Sequence, residues 1–329
     1  MSGATDGGAQ YRPGPLDRGA TFYVAGHRGL AGSAVVRALE ARGFTRVVGR
    51  SSRELDLRDR AAVHELFRRA EPRYVVLAAG KVGGILANST LPVDFLTENL
   101  QIQVNVLDAA REVGVERVLF LGSSCIYPRL AEQPISEDAL LTGPLEPTND
   151  AYAIAKIAGL THVQAVRRQF GLPWISAMPT NLYGPGDNFS PSSSHVLPAL
   201  VRRYDEAVSS RAESVTNWGS GRVRREFMHV DDMADACVHL LENYDGPQHV
   251  NVGTGADLTL REVAERVAVI TGYRGRTVWD ETRPDGMPQK LLDVSMLAGT
   301  GWKSRIDLDD GLASTLEWFR AHRSDVRGA

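Results

Sequence analysis

The chain has 329 residues, of which 43% are hydrophobic and 23% are charged, so it can bury the core of one large domain or of two modest ones. Its formal net charge of −3 argues against a protein that holds nucleic acid or an anionic membrane by bulk charge. The two cysteines, Cys125 and Cys237, allow neither a disulfide framework nor a CxxC zinc pattern, which indicates the reducing cytoplasm. The apolar runs are too short to cross a bilayer, and we expect no signal peptide at the amino terminus.

The first half of the chain alternates strands with helices. Residues 1–20 are rich in Gly, Pro and small polar residues, and we expect a disordered tail there. The predicted strands cover residues 21–26, 45–50, 74–80, 117–124 and 174–184. The predicted helices cover residues 29–43, 60–72, 93–114 and 149–171. This alternation predicts parallel crossovers and an α/β fold with a Rossmann-type, doubly wound parallel sheet.

The character of the sequence changes after Tyr183. Residues 184–196 combine Gly, Pro, Ser and Asp and predict a long loop. Helical patterns return at residues 229–244, 258–272 and 310–323, with a short strand at 249–253. We expect the second half to form a smaller α/β substrate domain, from which some segments return to the first sheet.

A glycine-rich loop joins the first predicted strand to the first predicted helix. It consists of Gly26, His27, Arg28, Gly29, Leu30, Ala31 and Gly32, with the spacing GxxGxxG. A nucleotide pyrophosphate needs backbone N–H groups at a helix N-terminus, and glycine permits the close approach. A structural turn can have the same spacing, but the position between a strand and a helix favours a dinucleotide-binding loop.

Basic residues at the end of the second strand favour NADP over NAD. NAD sites usually place Asp or Glu there to bind the ribose 2′-OH, and this sequence has no acid at the tip. The tip carries Arg50 and Arg53, and Arg28 lies in the glycine loop, so a 2′-phosphate would meet charge-assisted donors. The alternative is that these arginines are only solvated surface charges. Asp56 is expected at the edge of the adenine.

Tyr152 and Lys156 form a YxxxK motif on a helix predicted to begin near Thr148 or Asn149. The i, i+4 spacing places both side chains on one face, where an ammonium group would lower the pKa of the tyrosine. Ser123 and Ser124 end the fourth strand, at the edge of the sheet that faces the ligand crevice. The order of glycine loop, strand-end serine and YxxxK is typical of extended short-chain dehydrogenases/reductases that act on nucleotide sugars.

Cys125 and His195 add a possible acid–base pair. A thiol at the end of the fourth strand can exchange a proton with a carbon acid next to a ketone, although a free cysteine is more often a small buried hydrophobe. His195 follows a polar loop and begins a predicted helix, so it could act as the opposing acid or only cap or pack the loop. Cys237 is interpreted as a core residue. No histidine pair or acidic cluster has metal-ligand spacing, and we expect no metal.

Residues 21–325 resemble the GDP-L-fucose synthases, a branch of the extended short-chain dehydrogenases/reductases. The resemblance rests on long stretches that include VAGHRGLAGSAV, FLGSSCIYP, LEPTNDAYAIAKIAG, SHVLPALVRR and WGSGRVRREFMHVDDM. Cys125 in GSSCIYP and His195 in SHV are specific to this branch. The resemblance implies 3,5-epimerisation and 4-keto reduction of GDP-4-keto-6-deoxy-D-mannose to GDP-L-fucose, with NADPH as the hydride donor.

The resemblance also implies roles for individual residues. Cys125 would be the base and His195 the acid that invert C3 and C5. Tyr152 would give a proton to the C4 oxygen, Lys156 would lower the pKa of Tyr152 and bind the nicotinamide ribose, and Ser123 would hydrogen-bond the C4 oxygen. The implied cofactor contacts are the glycine loop, Leu121, Gly122, Ser123, Ser124, Lys156, Pro179, Thr180, Asn181, Leu182 and His195. The implied substrate contacts are Arg203, Trp218, Arg225 and Asp285, with Arg276 and Lys290 as further candidates.

Departures from the family pattern leave alternatives open. Ser52 stands where the family often has an arginine, Gln289 replaces a family arginine, and Gly80 lies in a variable segment. A related epimerase or reductase that uses another nucleotide sugar, or performs half of the chemistry, would look nearly the same. A non-catalytic NADP-sensing or scaffold protein is the third reading, although Tyr152 and Lys156 are both present.

The resemblance implies a division into two domains and a homodimer. Residues 21–182 with 226–254 would bind NADP, and residues 183–225 with 255–325 would bind the nucleotide sugar. Family members commonly pair through two long helices, which here would be the helix before Gly114 and the helix that carries Tyr152. Such a dimer would have a four-helix interface.

Overall fold

The computed structural model describes residues 13–191, 193–283 and 285–323. The strands are β1 (Phe22–Ala25), β2 (Val47–Val48), β3 (Tyr74–Leu77), β4 (Arg117–Leu121), β5 (Ile175–Pro179), β6 (Asn181–Tyr183), β7 (Ser214–Trp218), β8 (Arg224–His229), β9 (Val250–Val252), β10 (Asp257–Thr259), β11 (Arg276–Asp280) and β12 (Gln289–Lys290). The helices are α1 (Leu30–Ala41), α2 (Arg60–Ala70), α3 (Ile85–Thr90), α4 (Pro92–Glu112), α5 (Asp150–Phe170), α6 (Val196–Ser210), α7 (Val230–Asn243), α8 (Leu260–Thr271), α9 (Ser295–Gly299) and α10 (Leu308–Ala321).

Local signals in the sequence set several helix ends. The Asp59 side chain accepts a hydrogen bond from the Ala62 N–H and caps α2. Thr259 and Glu262 form a reciprocal capping box at the start of α8. Gly171 ends α5 with a φ of 67°, a left-handed conformation that glycine adopts without strain. These helices therefore begin and end where short-range chemistry predicts.

The main sheet has six parallel strands in the order β2-β1-β3-β4-β5-β9. Strands β1, β3 and β4 are buried at every position because helices cover both faces of the sheet. Helices α1 and α7 pack on one face, and α2, α4 and α5 pack on the other. The Rossmann-type α/β fold predicted from the sequence is confirmed.

The order of the strands reverses between β1 and β3. The chain leaves β1 for β2 on one side and reaches β3 on the other side, so the carboxyl ends of β1 and β3 border a topological switch point. Ligands of open α/β sheets bind in the crevice at such a point. The glycine loop after β1 and residues 78–84 after β3 therefore meet at the expected ligand edge.

The second half of the chain builds two smaller sheets. Strand β8 pairs with β10 in antiparallel and with β6 and β12 in parallel orientation, and β7 pairs with β11 in parallel orientation. Helices α6, α8 and α10 supply a separate apolar core for this region, with Tyr204, Phe189 and Leu316 among its buried members. The predicted single strand at 174–184 is wrong, because the chain leaves the main sheet after Pro179 and joins β8 from Asn181 onward.

The segment before β1 and the segment around α9 pack differently from what the predicted domain division implies. The tail predicted at 1–20 is too long, because Leu16 is buried in the first core and the Asp17 N–H donates to the Tyr74 hydroxyl at 3.1 Å. Residues 1–12 lie outside the described residues. Leu297 and Trp302, which fall in the predicted substrate domain, also belong to the core beside α1 and α7. The domain boundaries themselves stay a prediction.

Within residues 13–191, 193–283 and 285–323, no helix combines the length and the apolar character that crossing a bilayer requires.

Candidate active site

The glycine loop is shaped by two close backbone approaches. A Cβ on Gly32 would overlap the Gly26 carbonyl oxygen, and a Cβ on Gly26 would lie 2.8 Å from the Ala79 nitrogen. Gly26 has a φ of 86°, and its carbonyl accepts the Gly29 N–H at 2.9 Å. No side chain caps Gly29 at the start of α1, so the backbone N–H groups of the first turn remain available to an anion. The loop fits a dinucleotide pyrophosphate.

The tip of β2 carries an acid that the sequence analysis did not expect. The Glu54 carboxylate folds back and accepts hydrogen bonds from the Ser51 N–H at 2.8 Å and from the Ser51 hydroxyl at 2.6 Å. These hydrogen bonds, together with the charges of Arg28 and Arg50, lower the pKa of Glu54. The prediction that no acidic residue lies at the tip of β2 is therefore wrong. The turn from Ser51 to Glu54 brings the Glu54 carboxylate back to Ser51.

The basic residues of the tip remain exposed. Arg50 donates to the Gly49 carbonyl at 2.8 Å, and Arg53 and Arg28 lie on the surface nearby. Asp56 is held by Arg58, whose guanidinium donates to both carboxylate oxygens. Arg28 and Arg50 both act on the Glu54 carboxylate and therefore lie near the tip, while their contact with a ribose 2′-phosphate and the assignment of Asp56 to adenine stay predictions.

His27 of the glycine loop packs against the end of β2. A Cβ on Gly49 would overlap the His27 ring, so glycine is needed at this position. Removal of His27 from water and the charge of Arg28 both lower the pKa of its imidazole. The His27 ring is therefore neutral near pH 7 and fixes the glycine loop to the strand that was predicted to select the cofactor.

Tyr152 and Lys156 lie on one face of α5, beside the end of β4. Helix α5 begins after Asn149, as the sequence predicts, although the Asn149 side chain does not cap it. The Lys156 ammonium donates to the Leu121 carbonyl at 2.9 Å, and its Nζ lies 5.7 Å from the centroid of the Tyr152 ring. Burial lowers the pKa of Lys156 to about 8.

Burial raises the pKa of Tyr152, and a hydrogen bond with Ser123 only partly opposes this. The structure therefore does not show the lowered pKa that the YxxxK spacing predicted, because burial and the neighbouring Cys125 both raise the pKa of Tyr152. A protonated Tyr152 is nevertheless the form that can give a proton to a substrate oxygen.

Cys125 lies in a short 3₁₀ turn that follows β4 directly. The Cys125 N–H donates to the Ser123 hydroxyl at 3.4 Å, so one serine side chain contacts both Cys125 and Tyr152. Cys125 is 8% exposed, and burial raises the pKa of its thiol. Lys290, the hydrogen bond with Ser123 and Lys156 oppose this rise. The structure thus brings together the predicted residues Ser123, Cys125, Tyr152 and Lys156.

His195 shows no hydrogen bond or ion pair with this group of residues. It begins α6, is exposed, and its ring forms no hydrogen bond or ion pair with the residues that the structure describes. The surrounding cleft partly removes the ring from water and lowers the pKa of His195. A Cβ on Gly84 would lie 3.4 Å from the Ser194 carbonyl oxygen, so the loop after β3 touches the loop before His195. The pairing of His195 with Cys125 stays a prediction.

The remaining predicted cofactor residues follow β4 and β5. Leu121 accepts the hydrogen bond of Lys156, and a Cβ on Gly122 would meet the end of the Met178 side chain. Thr180 and Asn181 donate to the Glu226 carbonyl at 3.3 and 2.8 Å. These positions, with Ser124, Pro179 and Leu182 beside them, lie at the carboxyl ends of strands in line with the glycine loop.

Several predicted substrate residues border the second region. The Arg203 guanidinium donates to the Asn217 side-chain oxygen at 2.5 Å and to the Thr216 carbonyl at 3.2 Å. Trp218, at the end of β7, is 66% exposed and carries the Arg283 guanidinium 5.1 Å above its ring centroid. Burial lowers the pKa of Arg225, which indicates a guanidinium that would gain from an anionic partner.

Other predicted substrate residues occupy different positions. Both oxygens of the Asp285 carboxylate accept hydrogen bonds from Ser220, so Asp285 fixes the turn after β7. Arg276 pairs with Ser214 at the amino end of β11, four residues and about 13 Å along the strand from the end of β7. The structure does not bring Arg276 to this group. Lys290 pairs with Arg225 and lines a small cavity with Cys125, next to the catalytic group.

The sequence analysis missed residues that shape the end of β3. Asn99 in α4 accepts the Lys81 N–H at 3.0 Å and donates to the Lys81 carbonyl at 3.1 Å. A Cβ on Gly80 would lie 2.6 Å from the Asn99 side-chain oxygen and 3.7 Å from the Lys156 Nζ, so Gly80 permits a close approach. The sequence signal that could have indicated this contact is an asparagine on the apolar face of a long amphipathic helix.

Glu226 was also missed. This fully buried residue of β8 accepts hydrogen bonds from the N–H groups of Thr254, Gly255 and Leu292 at 2.6, 2.8 and 3.1 Å. Burial raises the pKa of its carboxyl group. Because Glu226 also accepts from Thr180 and Asn181 through its carbonyl, one residue joins the end of β5 to the second region.

Comparisons with known proteins agree with this geometry. The family model described as NAD dependent epimerase/dehydratase family matches residues 22–253. The chain is 57% identical to a putative GDP-L-fucose synthase 2 of Arabidopsis thaliana over 92% of this chain and 93% of that protein. It is 51% identical to the GDP-L-fucose synthase of Escherichia coli strain K12 over 93% of this chain and 98% of that protein.

A solved structure shows the same similarity in three dimensions. The crystal structure of a GDP-L-fucose synthetase from Naegleria fowleri bound to NADP has a TM-score of 0.89 and 27% identity, and it covers 96% of this chain and 97% of that one. The resemblance to the GDP-L-fucose synthases noted in the sequence is thus confirmed. The chain belongs to the NAD dependent epimerase/dehydratase family.

Proposed function

We propose that this protein is an NADPH-dependent enzyme that epimerises GDP-4-keto-6-deoxy-D-mannose at C3 and C5 and reduces its C4 ketone to give GDP-L-fucose. The proposal is supported by the names of the relatives and, above all, by one feature of the site. Ser123 contacts both Cys125 and Tyr152. A ketone oxygen held by Ser123 would therefore have a thiol near its neighbouring carbons and a phenol beside the oxygen itself.

The residues present fit NADPH. The close approach at Gly26 and Gly32 and the uncapped start of α1 suit a pyrophosphate, and Arg28, Arg50 and Arg53 suit a 2′-phosphate. NADPH, when bound, supplies the hydride that reduces C4. The ratio of kcat/KM for NADPH and NADH tests this fit, and a clear preference for NADH contradicts it.

The chain's own residues divide the proton transfers. Cys125 removes the proton from C3 or C5, and the electron pair moves toward the C4 oxygen, where the Ser123 and Tyr152 hydroxyls donate hydrogen bonds. His195 returns a proton from the opposite face. Tyr152 gives its proton to the C4 oxygen during reduction, and the Lys156 ammonium beside it stabilises the phenolate that remains.

Product analysis and two variants test the function. The protein is incubated in D₂O with GDP-4-keto-6-deoxy-D-mannose and NADPH, and the product is identified by NMR. Cys125→Ser is expected to abolish deuterium incorporation at C3 and C5. Tyr152→Phe is expected to slow NADPH oxidation by about 10²- to 10⁴-fold while some incorporation continues. Cys237→Ala is the matched control, because Cys237 is buried in α7 and is remote from these steps.

The outcomes separate the alternatives. Deuterium incorporation that survives Cys125→Ser refutes the assignment of the base. Reduction of the ketone without incorporation identifies a reductase that performs only half of the chemistry. Binding of NADPH without turnover of any nucleotide sugar supports the non-catalytic alternative.

We further propose a cytoplasmic homodimer that pairs through α4 and α5. Val93 and Val104 on α4 and Ile154 on α5 are 68%, 39% and 47% exposed, although these helices pack against each other and the sheet. Val104→Glu with Ile154→Glu is expected to convert a dimer into a monomer in light scattering. Val269→Glu, at a more exposed apolar position on α8 (79%), is the control that keeps the dimer. A wild-type monomer contradicts this proposal.

A further inference from the structure

Lys290 lies beside the catalytic cysteine, although it is 165 positions away in sequence. Strand β12 pairs with β8 so that Lys290 is opposite Arg225. A small cavity is lined by Lys290 and Cys125 together with Asn149, Glu146 and other residues. The cavity joins the end of β4 to β12, so Lys290 and Cys125 border the same small space.

Among the described residues, no carboxylate forms an ion pair with the Lys290 ammonium group, and the Glu226 carboxylate acts on it only through its charge. Its Nζ forms no hydrogen bond or ion pair with the residues that the structure describes. Glu146, in the same cavity, lies 3.3 Å from Arg129. Glu226 faces Lys290 from β8, but its carboxylate accepts three backbone N–H groups. The charge of Lys290 is therefore free to act on Cys125.

We propose that Lys290 is a positioning residue for the epimerisation, whose ammonium group stabilises the thiolate form of Cys125. This role rests on the proposed function, and it differs from the contact with substrate that the family resemblance implied for Lys290. Lys290 acts through the sulfur and takes no proton from the substrate.

The electrostatics of the cavity support this role. Burial raises the pKa of Cys125, and Lys290 is the strongest of the interactions that oppose the rise, ahead of Ser123 and Lys156. Conversely, burial and Arg225 lower the pKa of Lys290, whereas the Cys125 thiolate and, more weakly, the Glu226 carboxylate raise it. Lys156 has a separate partner, since it donates to the Leu121 carbonyl. Of the two lysines near the thiol, Lys290 is therefore the one without another hydrogen-bond acceptor.

The chemical step needs no additional reactant. The Cys125 S–H bond breaks first, its electron pair stays on sulfur, and water accepts the proton. The thiolate then removes a proton from C3 or C5, so that an S–H bond forms, the C–H bond breaks and the electron pair moves toward the C4 oxygen. The charge of Lys290 lowers the free-energy cost of breaking the Cys125 S–H bond, which is the step that burial of the thiol opposes.

The test measures the thiolate directly and needs no substrate. The rate of Cys125 alkylation by iodoacetamide, a neutral reagent, is followed against pH, and the modified peptide is identified by mass spectrometry. An opposite charge within a few ångströms shifts a pKa by about one to three units, so Lys290→Met is expected to slow alkylation at pH 7.5 by about 10- to 1,000-fold and to raise the pH midpoint. Lys290→Arg retains the charge and is expected to restore the rate.

The controls separate charge from packing. Met287→Leu alters the same cavity without removing a charge and is expected to leave the alkylation profile unchanged. Lys290→Gln takes the place of Lys290→Met if the latter loses its thermal unfolding transition. An unchanged profile in the neutral variant overturns the inference, and a raised KM for the nucleotide sugar alone then identifies Lys290 as a substrate ligand. Failure of the proposed function would instead appear as absent turnover with the expected alkylation profile.

Discussion

Replacing the buried lysine of the YxxxK motif is expected to stabilise the protein while it inactivates the enzyme. Lys156 is 4% exposed, and its only hydrogen bond among the described residues goes to the Leu121 carbonyl. No carboxylate lies within ion-pair distance of its Nζ in that part of the chain. The folded protein therefore holds a charge that water would solvate better, and Lys156→Met removes it.

The magnitude follows from the shift in pKa. The pKa of Lys156 falls from 10.5 to about 8 on folding. Each pKa unit corresponds to about 1.4 kcal/mol, so the buried charge costs about 3 kcal/mol of folding free energy below pH 8. Loss of the hydrogen bond to Leu121 offsets about 1 kcal/mol. We expect Lys156→Met to be more stable than the wild type by about 2 kcal/mol at pH 7.

The difference in unfolding free energy between Lys156→Met and the wild type should change with pH in one direction only. Between pH 8 and about 10.5 the unfolded chain holds the Lys156 proton and the folded chain has lost it, so wild-type stability rises with pH relative to the variant. The advantage of Lys156→Met should therefore shrink above pH 8 and reverse by about 1 kcal/mol near pH 10.5, where only the lost hydrogen bond remains. Groups that titrate equally in both proteins cancel from the difference.

Urea unfolding at several pH values, followed by tryptophan fluorescence, measures this difference. Lys303→Met replaces an exposed lysine and is the matched control, which should follow the wild type at every pH. The reasoning is refuted if Lys156→Met is less stable than the wild type at pH 7, or if the difference does not change between pH 7 and pH 10. NADPH oxidation should be lost in Lys156→Met under all these conditions.

Three further substitutions test separate parts of the molecule. Gly32→Ala places a methyl group on the Gly26 carbonyl oxygen and is expected to weaken NADPH binding by about tenfold or more in a fluorescence titration, as one lost anion-binding contact would. Asp187→Asn should stabilise the protein by about 4 kcal/mol at pH 8 and by less than about 1 kcal/mol at pH 4, because burial raises the pKa of Asp187 from 3.8 to about 7. The destabilisation of the wild type grows as the pH rises from about 4 to about 7, and thermal unfolding at both pH values checks this. Trp218→Ala should raise the KM for the nucleotide sugar. It should not lower the melting temperature, because Trp218 is 66% exposed. An unchanged KM would show that Trp218 does not belong to the substrate site.

The sequence predicted those features whose causes are local. The glycine loop could be recognised because a strand, three glycines and a helix follow one another within a few residues, and the structure shows backbone contacts that exclude larger side chains. Tyr152 and Lys156 could be placed on one face because helix geometry fixes the i, i+4 spacing. The prediction of a single strand at 174–184 was wrong for the opposite reason. An apolar run does not reveal that its two halves belong to different sheets.

The site residues that the sequence missed depend on contacts between distant segments. Glu54 reaches the β2 tip because it hydrogen-bonds Ser51, and the sequence alone does not fix the geometry of that turn. The placement of Arg276 away from Trp218 follows from the parallel register of β11 and β7. The approach of Lys290 to Cys125 depends on the pairing of β12 with β8. Register and packing, rather than residue type, decided these cases.

The two proposed reactions share a ketone but place opposite demands on their proton-transfer groups. Tyr152 must keep its proton until hydride transfer, whereas Cys125 must lose its proton before epimerisation. Burial raises the pKa of both groups, which suits the phenol and opposes the thiol. Two lysines with different partners resolve this conflict. Burial keeps the phenol of Tyr152 protonated until hydride transfer, and Lys156 lies beside it to stabilise the phenolate that then forms. The charge of Lys290, which has no hydrogen-bond partner among the described residues, favours the thiolate of Cys125. A single carbonyl position can thus serve an acid and a base that come from different elements of the fold, Tyr152 from α5 and Cys125 from the turn after β4.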